Sequence, residues 1–224
     1  MDNNRKAVLE KQIEKVIKAL EKNNMQGFYA EDSCKAVELV KTILNKGDVV
    51  SFGGSMTLNE CGIFDLLKNG DYTLLDRNAE GNTPEDIQRI YRESFSADTY
   101  LCSSNAITEN GELYNVDGLG NRVTALTFGP KSVIVIAGYN KIVADLDAAI
   151  HRVKTVAAPA NCLRLNKDTY CAKCGQCVSI TTGKTEMTDG CYSPARICRH
   201  YIVTAKQPML GRIKVILVGE ELGY

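Results

Sequence analysis

The chain has 224 residues, 44% of them hydrophobic, enough to bury one large core with an appendage but not enough for two full-sized domains. Lys and Arg number 27, Asp and Glu number 27, the pI is about 6.7, and no basic stripe with interleaved aromatics occurs, which argues against a nucleic-acid surface. The longest strongly apolar run, Val133 to Ala137, is too short to span a bilayer, and the opening Met-Asp-Asn-Asn-Arg-Lys carries no apolar leader, so a cytoplasmic protein without a membrane span is expected.

Residues 5–22 set Leu9, Ile13, Val16, Ile17 and Leu20 at helical spacing between Lys and Glu, which predicts an amphipathic helix. A short strand follows at Gly27 to Ala30. Asp32 or Ser33 can cap a helix to Leu44, closed by Asn45-Lys-Gly47 before the apolar strand Val49 to Phe52. After Gly53-Gly-Ser-Met, Thr57 and Glu60 have capping-box spacing for a helix through Leu67. Tyr72 to Leu75 reads as a strand, and Thr83-Pro-Glu-Asp starts a helix that should end near Phe95.

Strands are expected at Thr99 to Cys102 and, after an irregular polar region, at Ser132 to Ala137, whose unbroken apolar run implies burial on both faces. A helix from Ile142 to Ala157 should stop at Pro159, and Arg212 to Gly219 reads as a buried closing strand. Alternation of this kind predicts one α/β domain over 1–224, with a mostly parallel sheet, helices on both faces, and 162–198 as a cysteine-rich insertion before the final strand.

Six of the nine cysteines fall between Cys162 and Cys198, three of them in Cys171-Ala-Lys-Cys174-Gly-Gln-Cys177. Disulfides are uncommon in a cytoplasmic protein, and clustered thiols there point to metal or catalysis. Three thiols at C-x-x-C-x-x-C spacing followed by distant ones favour an iron-sulfur cluster over a zinc ribbon, with zinc as the alternative. Cys34, Cys61 and Cys102 stand singly and read as small buried hydrophobes. Of the two histidines, His151 and His200, only His200 lies close enough in sequence to the cysteines to be a further ligand.

Gly53, Gly54, Ser55 and Thr57 form a glycine-rich turn between strand and capped helix, a place where backbone N–H groups can receive an anion. Beyond the strand at 99–102 lies the richest polar segment, with Asn105, Glu109, Asp117, Asn121 and Arg122. Glu109 is a candidate nucleophile or base, Asp117 a candidate base, Asn105 and Asn121 candidate donors, and Arg122 a candidate carboxylate clamp. The two groups of residues are expected to share one pocket. Glu109-Asn-Gly is equally a good hairpin turn.

Gly53-Gly-Ser-Met-Thr-Leu, Asn105-Ala-Ile-Thr, Asp117-Gly-Leu-Gly-Asn-Arg, Phe128-Gly-Pro, Asn140-Lys-Ile-Val and the terminal Val-Gly-Glu-Glu-Leu-Gly, in that order, resemble the stand-alone LUD-domain branch of the lactate utilisation proteins. The resemblance implies the ribose-phosphate isomerase and CoA-transferase-like superfold. It further implies a part in oxidising L-lactate or a related small 2-hydroxy acid, as a possible oxidoreductase component with a cysteine-bound iron-sulfur centre, 4Fe–4S in type, and an iron-sulfur partner protein. Cys171, Cys177, Cys191 and Cys198 correspond to the cysteines of such relatives, and Cys174 is an added candidate ligand. Glu109-Asn-Gly also resembles the nucleophile motif of class I CoA-transferases, which leaves acyl transfer, or a zinc-stabilised small-molecule binding module, as alternatives.

Overall fold

The computed structural model describes residues 2–184 and 186–224. Strands β1 (Gln26–Ala30), β2 (Val49–Phe52), β3 (Thr73–Leu75), β4 (Thr99–Cys102), β7 (Ser132–Gly138) and β10 (Ile213–Val218) pair in parallel in the order β1-β10-β7-β4-β2-β3. Side chains alternate across the central strands. Val133, Val135 and Ala137 of β7 enter one core with Val215 and Leu217 of β10, while Ile134, Ile136, Ile216 and Val218 enter the other. Burial on both faces requires helices on both faces.

The first core is closed by α1 (Asn3–Lys22), through Leu9, Ile13, Val16 and Leu20, and by α6 (Asn121–Thr127), through Ala125 and Leu126. The second is closed by α2 (Ser33–Ile43), α3 (Met56–Glu60) and α4 (Ile63–Asn69). Helix α5 (Pro84–Glu93) begins at the expected Thr83 capping box and runs into a short 3-10 turn, Ser94–Ser96.

Three local expectations are corrected. The single helix to Leu67 is two helices, because Gly62 adopts φ 73° between α3 and α4. Its cap is Ser55, whose Oγ accepts from the Leu58 N–H at 3.3 Å; Thr57 points inward instead, and Glu60 accepts from the Gly223 N–H. Pro159 does not end the helix before it. The stretch from 142 opens with β8 (Ile142–Val143), then runs through α7 (Leu146–Arg152), a π-helical turn (Val153–Ala157) and α8 (Ala158–Arg164). A proline clashes with the carbonyl one turn back, and the widened π-turn accommodates it so that the chain stays helical.

The supposedly irregular region holds a second sheet, in the order β8-β5-β6-β9. Its β5 (Ala106–Thr108) and β6 (Leu113–Asp117) form an antiparallel hairpin, and β9 (His200–Thr204) adds to the outer side of β6. One face supplies Ile107 and Leu113 to the first core; the other supplies Ala106 and Tyr114 to a third, closed by Ala149, Val153, Ala157 and Ala158. The cysteine-rich segment lies against this face. It is not wholly irregular, since it contains α9 (Tyr170–Cys174) and α10 (Val178–Thr181), and β9 intervenes between it and the closing strand.

Candidate functional site: a cationic cavity and a cysteine cluster

Parallel pairing puts the carboxyl ends of β2, β4 and β7 at one edge, where an open α/β sheet receives its ligands. A cavity of about 530 Å³ opens there. Gly54 and Ser55 line it from the turn after β2, Ser103, Ser104 and Asn105 from the segment after β4, and Asp117, Asn121 and Arg122 from the end of β6 and the start of α6. The glycine turn and the polar segment therefore face one space. Neither glycine has a positive φ; each is small because something presses on it. A Cβ on Gly53 would lie 3.1 Å from Arg122 Cδ and 3.2 Å from the Tyr100 hydroxyl, and one on Gly54 would lie 3.0 Å from an Arg77 guanidinium nitrogen. The helix behind this turn has only five residues, so its dipole is a weak anion trap, and charge in the cavity comes from side chains.

Arg122 is an internal brace and not a carboxylate clamp. Its Nη1 donates to Ser103 O (3.1 Å) and Asn115 Oδ1 (2.5 Å), its Nη2 to Asn105 Oδ1 (3.1 Å) and Val116 O (2.8 Å), and its Nε faces Asp117 Oδ2 at 3.3 Å. A guanidinium has five N–H donors, so four are committed to protein acceptors and the fifth, on Nε, faces its ion-pair partner. Asp117 is equally occupied: its other oxygen accepts from the N–H groups of Leu119 and Gly120, fixing the turn into α6. Asn105 also accepts from the Val116 N–H. The expected base Asp117, donor Asn105 and clamp Arg122 form the framework that shapes the cavity wall.

The charge that faces the cavity comes largely from residues with no motif. Arg77, Lys141, Arg164, Lys167, Arg196 and Arg199 join Arg122 on the lining, against the single carboxylate side chain of Asp117. Arg77 donates to Phe52 O at 2.6 Å, and its guanidinium lies over the Phe52 and Tyr91 rings at 5.3 and 5.6 Å. Arg152 is buried just behind, donating to Asn140 O and Asn105 O. Lys141 is almost fully buried, and desolvation, followed by the neighbouring Arg152 and Arg122 charges, pulls its amine down to about 7. Besides Arg122, only Lys141, in the Asn140-Lys-Ile-Val run, and Arg196, in Ser193-Pro-Ala-Arg, lie in distinctive sequence runs.

Glu109 is not at this cavity. It sits at the tip of the β5–β6 hairpin, its N–H bonded to Val143 O and its carboxylate paired with Lys15 of α1. Acyl transfer through Glu109 is therefore set aside: the Glu-Asn-Gly motif is the turn its composition suits. Thr57 lies behind the lining, donating to Leu222 O and accepting from Lys141 Nζ.

A second, much smaller cavity of about 30 Å³ is lined by five thiols: Cys162, Cys171, Cys177, Cys191 and Cys198. Cys174 is exposed and outside it, and Cys162, which the family correspondence did not include, is inside. Cys171 Sγ and Cys162 Sγ are 3.6 Å apart. Tetrahedral coordination at a Zn–S distance of about 2.3 Å sets neighbouring sulfurs about 3.8 Å apart, so this pair already has the separation that one ion imposes. Among the described residues no three His, Cys, Asp or Glu side chains stand close enough to hold an ion as they are. The five thiols share one cavity without forming a ready-made ligand cluster, and a metal there would require the remaining thiols to close in. Burial pushes the Cys198 thiol up to about 12 and that of Cys162 up to about 11, so both stay protonated until a cation compensates the thiolate. The donors fit a thiophilic metal. Arg196 ties the loops that carry them, donating to Cys198 O, Cys191 O, Thr188 O and the Tyr201 hydroxyl. Of the isolated cysteines, Cys61 and Cys102 are buried as expected, whereas Cys34 is exposed; His200 is exposed and lies off the thiol cavity.

Among the described residues no helix is long and apolar enough to cross a membrane. No curated protein matches the chain. Among solved structures it is similar to a DUF162 family protein from Deinococcus radiodurans, at 13% identity and a TM-score of 0.48, covering 96% of this chain and 98% of that one. A shorter similarity, to eIF2B delta from Chaetomium thermophilum, has 20% identity and a TM-score of 0.33 over 48% of this chain and 46% of that one. Residues 13–218, nearly the whole of the parallel sheet, its helices and the cysteine segment, match the LUD domain, and the chain belongs to the LUD domain family.

Proposed function

We propose that this lactate-utilisation-type protein binds a small carboxylate, a 2-hydroxy acid such as L-lactate or its 2-oxo counterpart, in the cationic cavity at the sheet's carboxyl edge. One observation carries this: in a chain with equal numbers of acidic and basic residues, six arginine and lysine cations, besides the near-neutral Lys141, and one carboxylate side chain line a single concave space. Positive groups gathered in one concave space with little compensating acid raise its potential, and a bound anion lowers it. Ser103, Ser104, Asn105 and Asn121 add groups that can orient a hydroxyl or carbonyl oxygen.

The five-thiol cavity is assigned to a metal centre. An iron-sulfur cluster, 4Fe–4S in type, would supply electron transfer beside the ligand, with a partner iron-sulfur protein as electron acceptor; Cys162, Cys171, Cys177, Cys191 and Cys198 are the candidate ligands. A single zinc ion is the second reading, favoured by a space of about 30 Å³, which is nearer the size of one ion than of a cluster.

Two measurements test these assignments. Calorimetric titration of L-lactate, pyruvate and inorganic phosphate should show binding that weakens with salt and in an Arg164→Gln/Arg199→Gln double variant. Binding that ignores both changes would remove the cavity from consideration. Iron, zinc and acid-labile sulfide analysis of anaerobically purified protein separates the cluster from the single ion, and absence of all three would overturn the metal assignment.

A further inference from the structure

Lys141 closes the 3-10 turn Tyr139–Lys141 that follows β7, and its side chain reaches the inner wall of the cationic cavity. It is 2% exposed and takes part in none of the ion pairs among the described residues. Its Nζ lies 2.8 Å from Thr57 Oγ1 and 3.0 Å from Ser103 Oγ. Each hydroxyl has a use for its own proton, since Thr57 donates to Leu222 O at 3.2 Å and Ser103 to Ser104 O at 3.4 Å. Both oxygens therefore accept from Nζ.

A neutral amine has two N–H donors and one lone pair; an ammonium has three donors. Two acceptors satisfy the amine completely and leave its lone pair free, whereas the ammonium would keep one N–H without a partner. Electrostatics act in the same direction. The charged and titratable groups around Nζ are Arg152, Arg122, Glu60 and Cys61, and burial and the two arginines outweigh the acids. A lysine kept neutral beside a ligand cavity is a nucleophile by default.

We propose that Lys141 captures carbonyl compounds, its Nζ adding to the aldehyde or ketone carbon of an anionic ligand held in the cavity. The lone pair forms the C–N bond as the C=O π electrons move to oxygen. The nitrogen passes a proton to that oxygen through solvent, giving a carbinolamine. Protonation of its hydroxyl expels water and leaves an iminium, which loses a proton to become the imine. No electrons are gained or lost, so no oxidant is needed. The ligand class is a carbonyl compound bearing an anionic group, either a 2-oxo acid or a carbonyl phosphate. The proposal rests on the cavity being an anion site, and it assigns to that site a covalent partner.

Reductive trapping tests it. Full-length protein is incubated with pyruvate in one arm and dihydroxyacetone phosphate in the other, with sodium cyanoborohydride, followed by intact-mass analysis and peptide mapping. The expected result is one adduct per chain, mapped to Lys141, formed faster with whichever probe matches the cavity. Below a midpoint near 7 its rate should fall about tenfold per pH unit, as the amine becomes protonated. Lys141→Met should abolish the adduct; should that variant fail to fold, protection of Lys141 in the unaltered protein by excess inorganic phosphate serves instead. Adducts spread over exposed lysines with Lys141 unmodified would overturn the proposal. If phosphate binds by calorimetry and no Lys141 adduct forms, the covalent step fails and the anion cavity stands. An adduct at Lys141 that phosphate neither binds near nor blocks leaves the covalent step and removes the anion site.

Discussion

Replacing Arg122 with methionine distinguishes a brace from a clamp. The substitution keeps most of the stem that packs on Gly53 and removes every donor to Ser103, Asn115, Asn105 and Val116, together with the ion pair to Asp117. The two charged side chains are only 13% and 10% exposed, so solvent screens the pair weakly. Removing one member of a buried pair costs about 3–5 kcal/mol, and single hydrogen bonds to a charged group about 1.5–3 kcal/mol, terms that overlap and do not add. A net loss of about 3–5 kcal/mol in a chain of this length lowers Tm by roughly 6–20 °C. Chemical and thermal denaturation measure it directly. Arg122→Lys, which keeps the charge and loses the planar fork, should recover only part of the loss. A loss below about 1 kcal/mol would place Arg122 among ordinary surface residues and refute the brace. So would a normal Tm combined with abolished anion binding, since that pattern belongs to a clamp.

In the cysteine cluster, Cys198→Ser and Cys162→Ser should each lower bound metal per chain, while Cys174→Ser, at an exposed thiol outside the cavity, should leave it unchanged. Retention in both the Cys162 and the Cys198 variants would contradict the donor set. Gly54→Val should keep the fold, because the Cβ meets only the terminal guanidinium nitrogen of Arg77 and no backbone, yet weaken phosphate or pyruvate binding by crowding the cavity mouth; unchanged affinity would make the turn structural only. Lys141 gives a pH signature. Its amine ionises near 10.5 in the unfolded chain and about 7 when folded, so between those values the unfolded state binds more protons and stability rises with pH. The difference in unfolding free energy between wild type and Lys141→Met should therefore move against the wild type as pH falls from 10.5 to 7. A flat difference would mean that Lys141 is not neutral in the fold.

The parallel sheet was legible because its strands obey a simple rule. Strands β7 and β10 are buried on both sides, so their apolar residues are continuous, and continuity is visible in a sequence. Strands β5, β6, β8 and β9 have two to five residues each, with polar neighbours, and owe their existence to pairing with one another and to cover from α7 and α8. Local pattern carries almost none of that information. Pro159 misled for a related reason: the rule that proline stops a helix is local, and the π-turn that defeats it is held in place by burial of Val153, Lys154 and Ala157.

The site divides along the same line. Glycines and polar turns announce where a chain must bend, and of the residues so marked Gly54, Ser55, Asn105, Asp117, Asn121 and Arg122 line the larger cavity, whereas Gly53 and Glu109 do not. They did not reveal what each side chain does there, because Arg122 and Asp117 satisfy each other and the backbone only once β6 and α6 have met. The residues that give the cavity its charge, Arg77 after β3, Arg164 in α8, Arg196 and Arg199 before β9, are far apart in sequence and converge through topology alone. Topology also joins the two cavities. Val153, Ala158, Arg196, Ile197 and Cys198 line both, so the inner wall of the cationic cavity is the wall in front of the thiols. Arg196 places its hydrogen bonds on the thiol-bearing loops while its charge lines the cationic cavity, and a metal that drew Cys191 and Cys198 together would have to carry Arg196 with them.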